Sequence, residues 1–128
     1  MTKENNARRI LNAQLLWLLL AALWNGVGVY RIAQGQAAIG PTASLIVAGV
    51  LLALAALLYV RALRWPLLWC AISLFGVYGA GSAVFGAITG DPSLWPTPFW
   101  RWSGAALNLF GLLACLLGIL TAIKRIRG

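Results

Sequence analysis

Four apolar runs dominate the chain, and short polar or basic segments separate them. The runs cover residues of about 13–32, 42–62, 66–89 and 103–123. Each holds about 18–24 residues, and a helix needs about 20 to cross a 30 Å hydrocarbon core. Membrane-spanning strands are about half that length and alternate polar with apolar positions. No run here alternates in that way. Backbone groups surrounded by lipid have to be satisfied within their own segment or a closed barrel, which leaves helices. The pattern therefore predicts an all-α membrane protein, a single domain over residues 1–128 with four transmembrane helices in an up-down bundle.

The boundaries have local causes. Lys3, Arg8 and Arg9 precede the first run, which is too long for the core of a cleaved signal and reads as a first span. Arg31 to Pro41 is a polar, glycine-containing connector. Arg61 and Arg64 mark a tight turn, and Pro66 stands where a helix opens, since its missing N–H has no intrahelical role there. Gly90, Asp91, Pro92, Pro96 and Pro98 make a loop that cannot be helical throughout. Leu15-Leu16-Trp17 and Leu67-Leu68-Trp69 open the first and third runs alike, a weak echo that leaves duplication of a helical hairpin open.

Composition supports the bilayer as solvent. Hydrophobic residues make up 62% of the chain and charged residues only 9%, against about 25% charged in an ordinary soluble domain. Ten Lys and Arg face only Glu4 and Asp91. Nucleic-acid modules spread such charge over a solvated face. Here it gathers between apolar runs, so no nucleic-acid partner is expected. Counted by side, eight basic residues fall with the two termini and the central turn, and two (Arg31 and Arg101) fall opposite. The positive-inside rule then places both termini in the cytoplasm and predicts a multi-pass protein of the inner membrane. Trp95, Trp100 and Trp102 on the opposite side, and Trp65 and Trp69 at the start of the third run, suit aromatic belts at the headgroups.

Three groups of residues are candidates for function. In the third run Gly76, Gly79, Ala83, Gly86 and Gly90 recur in steps of three and four, and Gly104, Gly111 and Gly118 repeat with Asn108 and Cys115 in the fourth. Small residues at that spacing let helix backbones approach, so both stripes are expected to face partner helices, in this chain or another. Trp24, Asn25 and Asn108 form a candidate polar site inside the membrane. Its amides can bond to each other, to nearby backbone, or to a solute. The external loop Asp91–Trp102, with Trp95, Trp100 and Arg101, can touch lipid or a partner, and Asp91 can pair there with Arg31 or Arg101.

What is missing narrows the function. No carboxylate lies in any run, although ion-coupled carriers usually rely on one. The chain has no His, its two cysteines are far apart, and no nucleophile–base pair can be assembled. No enzyme activity, cofactor or metal site is expected. The expected role is an accessory or structural subunit of an inner-membrane complex. Its expected partners are the lipid bilayer and other membrane subunits or a second copy. The alternatives are a small oligomeric channel or carrier for a neutral or anionic solute, and a lipid-binding protein.

Overall fold

The computed structural model describes residues 2–128, and among them the secondary structure is entirely helical. Helix α1 covers Lys3–Ala33, α2 Leu45–Arg61, α3 Pro66–Thr89 and α4 Pro98–Arg127, with a single 3₁₀ turn at Pro92–Leu94. Three of them (α1, α3 and α4) are long and apolar enough to cross a membrane, and α2 is a shorter apolar helix of 17 residues.

The ends follow from capping chemistry. Thr2 accepts the Asn5 N–H at 3.1 Å and starts α1 ten residues before its apolar run begins. Nothing between Lys3 and Ala13 breaks a helix, and Glu4 suits the positive end of its dipole. At the other end Gly35 adopts φ +76°. The Gln36 N–H returns to the Arg31 carbonyl there, a turn that needs a residue tolerant of left-handed backbone. Ser44 caps α2 by accepting the Val47 N–H, so α2 begins three residues after the start read from hydropathy. Helix α3 starts at Pro66 and ends at Thr89, as the proline and the following Gly-Asp-Pro demand. Helix α4 starts five residues before its apolar run: Pro98 occupies its first turn, and Thr97 caps the Trp100 N–H. Trp100, Arg101 and Trp102, expected in a loop, therefore belong to a helix.

Helix α1 packs on both α2 and α4, α4 packs most extensively on α3, and α2 and α3 barely touch. The α1–α4 seam is built from large side chains on one helix and glycines on the other. The Trp17 indole lies against Gly111, Trp24 lies over Gly104, and Gln14 lies over Gly118. A Cβ at Gly111 would overlap the indole, and one at Gly118 would stand 2.5 Å from the Gln14 amide nitrogen. The Gly104–Gly111–Gly118 spacing of seven residues keeps the three notches on one face, two helical turns apart. Between α3 and α4, Gly76 receives the Cys115 side chain.

Polarity is distributed opposite to that of a water-soluble fold. Gln14, Asn25 and Ser73 are buried, while Leu, Phe, Ile and Tyr side chains such as Leu23, Ile46, Phe75, Tyr78 and Phe85 face outward. Water would penalise an apolar surface of that extent, and lipid does not.

Gly111→Ala should lower the unfolding free energy by about 1–3 kcal/mol, the usual cost of forcing volume into a packed site. Gly79→Ala meets open space and should change stability by less than about 1 kcal/mol. SDS titration in mixed micelles, followed by circular dichroism, compares the two. Equal stabilities would contradict the glycine-notch packing.

Candidate functional site

The most deeply buried polar cluster joins Gln14 and Ser73, which sequence reasoning did not single out, to Trp69, which was expected in a headgroup belt and lies in the core instead. Gln14 is 1% exposed, and Trp69 and Ser73 are wholly buried. The Gln14 amide nitrogen donates to Ser73 Oγ at 2.7 Å, and the Trp69 indole N–H donates to Gln14 Oε1 at 2.7 Å. An indole nitrogen can only donate, so this bond fixes which way the Gln14 amide points. One α1 side chain thus ties two positions of α3 while filling the Gly118 notch of α4. Gln14 stands at the edge of the first apolar run and Ser73 is a small residue in a Leu-rich one, so neither interrupts the hydropathy. A usable signal was the step of three and four through Ala7, Leu11, Gln14, Leu18, Ala21, Asn25 and Gly28, all buried along α1.

The three candidate residues of the polar site do not form one site. Asn25 is buried, donates to the Ala21 carbonyl at 3.0 Å and accepts the Ser44 N–H at 3.3 Å. It therefore ties α1 to the start of α2. Asn108 donates to the Gly104 carbonyl at 3.0 Å and accepts the Trp17 indole N–H at 3.4 Å. The two amides make no bond to each other, because each has a nearer partner on or beside its own helix. Trp24 is half-buried, with its ring edge-on to Trp100 at 5.7 Å. Among the described residues no buried side-chain nitrogen or oxygen lacks a partner.

The two small-residue stripes are placed differently. Gly104, Gly111 and Gly118 of α4 are all buried against α1. On α3, Gly76 is buried, but the rest of that helix's buried face is Trp69, Ile72, Ser73, Ala80 and Ala87. Among the described residues, Gly79 and Gly86 have no neighbour within 4 Å of a Cβ position, and Ala83 is exposed. Gly90 ends α3, its N–H bonded to the Gly86 carbonyl at 2.7 Å.

At the tryptophan-rich end, Arg101 donates to the Ala87 carbonyl at 2.6 Å and to the Ile88 carbonyl at 3.3 Å, neutralising the C-terminus of α3. Its guanidinium also lies over the rings of Trp95 and Trp102. Arg31 donates to the Ala37 carbonyl and lies 6.0 Å from the Trp100 ring centre. Asp91 pairs with neither arginine. It accepts the Ser93 N–H at 2.9 Å and caps the 3₁₀ turn, and its hydrogen bonds from Ser93 hold the carboxyl below its usual pKa. The arginines are drawn instead to carbonyls and rings within the same end of the bundle.

No protein-family model matches this chain, and no curated protein or solved structure does.

Polar bonds within membrane bundles average about 0.6 kcal/mol, with a maximum near 1.7. A buried donor left without a partner costs about 1–3 kcal/mol. A double-mutant cycle of Gln14→Leu and Ser73→Ala, measured in mixed micelles, should return a coupling of about 0.5–2 kcal/mol. Additive effects would show that the amide and the hydroxyl do not act on each other.

Proposed function

We propose that this chain crosses an inner membrane four times, with up-down connections and both termini in the cytoplasm, and serves there as an accessory subunit that assembles laterally with other helices. The observation that carries the assembly reading is the open track on α3. Gly79, Ala83 and Gly86 follow one another at helical spacing, and no described residue comes within 4 Å of a Cβ position at Gly79 or Gly86. The matching glycines of α4 are filled by side chains of α1, which shows what such notches accept. Without a hydrophobic drive between helices in lipid, close backbone approach along small residues supplies association through van der Waals contact.

The carrier alternative has less support. Asn25 and Asn108, the amides that would line a path, each hold another part of the chain in place. For the topology, the basic residues near both termini and the central turn gather at one end of the bundle, where Arg125 bonds to Glu4 at 3.0 Å and to the Leu63 carbonyl at 2.9 Å.

Gly86→Leu and Gly79→Leu should leave the helical content and unfolding midpoint nearly unchanged, because a Cβ at either position meets no described residue within 4 Å. They should reduce recovery of a co-purifying membrane subunit, or of a self-assembled form, by tenfold or more on native gels of mild-detergent extracts. Intact assembly in both variants would sink this reading. So would solute flux through liposomes that Asn25→Leu abolishes.

A further inference from the structure

The basic end of the bundle holds an open cleft of about 1200 Å³, in whose wall Lys3, Arg9, Arg64, Lys124, Arg125 and Arg127 stand among apolar and small polar residues. Arg125 is committed to Glu4 and to the Leu63 carbonyl, which joins the start of α1, the α2–α3 turn and the end of α4. The other five cations make no hydrogen bond or ion pair with the protein among the described residues, and all five are exposed. Glu4, paired with Arg125, is the one acidic side chain near them. Cations drawn together by three segments repel one another unless an anion is shared between them.

A second depression of about 750 Å³ adjoins the first and shares Arg64, Pro66 and Arg125 with it. Its remaining lining is Trp65, Leu67, Leu68 and Ile126, which is apolar but for the indole N–H. Helix α3 begins in this wall without a side-chain cap, so the positive end of its dipole faces the same place. A cationic bowl opening onto an apolar groove matches an amphipathic ligand: phosphate in the bowl, hydrocarbon chain in the groove. A free phosphate would leave the groove empty.

We infer that this cleft binds an anionic phospholipid of the surrounding leaflet, with preference for a headgroup that carries two phosphates. Five unpaired cations exceed what one phosphate can neutralise, and basic pockets between transmembrane helices take such headgroups. The inference rests on the bundle lying in a membrane; it does not need the assembly track on α3.

The test uses the full chain in phosphatidylcholine nanodiscs, doped with cardiolipin or, at equal charge, with phosphatidylglycerol. Native mass spectrometry then reads the lipid retained on the released protein. Cardiolipin should be retained in preference to phosphatidylglycerol. The triple variant Arg64→Gln/Lys124→Gln/Arg127→Gln should lower its affinity roughly 100-fold, at about 1 kcal/mol per basic residue. Arg8→Gln, at the same end but outside the cleft, should leave the affinity within about twofold, well short of the roughly fivefold that each cleft cation contributes. A free-energy loss from Arg8→Gln as large as one third of the triple variant's would show only diffuse attraction and would overturn the site. Unchanged binding in the triple variant would overturn it as well. Displacement of the lipid by inorganic phosphate alone would assign the cleft to a soluble anion instead. Failure of the wild-type chain to enter phosphatidylcholine discs would defeat the membrane reading itself. Normal insertion without lipid preference would defeat this inference only.

Discussion

In a bilayer, apolar side chains gain little by leaving lipid for one another, so a helical bundle has to cohere by close approach and by satisfying its polar groups internally. Both demands are met at the seam where α1 lies on α4. Gln14, Trp17 and Trp24 each rest on a glycine of α4, and each of the first two also carries a hydrogen bond. The glycines bring the backbones near enough for the long side chains to pass across α4 and reach α3. Gln14 does so most fully, bonding Ser73 and Trp69 from above Gly118. Helix α3 is held besides by its extensive packing on α4, the Gly76–Cys115 contact included.

The same economy of polar groups determines where function can lie. The buried amides and indoles are engaged in holding helices at fixed register, and the arginines of the tryptophan-rich end are engaged with carbonyls and rings. Among the described residues, two outward surfaces bring together groups that have no partner within the chain. One is the open small-residue track of α3, and the other is the basic cleft with its apolar groove. Both face outward, toward lipid or a neighbouring protein.

Much of the fold was legible in the sequence, and the failures have physical reasons. The approximate extent of α3 was readable because Pro66 and Gly90-Asp91-Pro92 constrain the backbone directly. Hydropathy marks where lipid begins, not where hydrogen bonding ends, so α1 and α4 extend beyond their apolar runs under the caps of Thr2 and Thr97. Asn25 and Asn108 were conspicuous because an amide interrupts an apolar run. Gln14 and Ser73 interrupted nothing in the hydropathy, although they form a polar contact buried from both sides. The glycine steps of α3 and α4 look alike in sequence. Spacing shows that such residues share a face; it does not show which face a neighbour covers, and only α4 turned its whole series inward.

The central claim is that α1 is keyed into α4 at glycines and tied to α3 through Gln14. Nuclear Overhauser spectroscopy of the labelled chain in lipid nanodiscs tests it most directly. The account predicts cross-peaks from the Trp69 indole proton to the Gln14 side chain and from the Trp17 indole to the Gly111 α-protons, with those protons shifted upfield by the ring. Indoles of Trp17 and Trp69 that contact lipid acyl chains, with no cross-peak to Gln14 or Gly111, would contradict it.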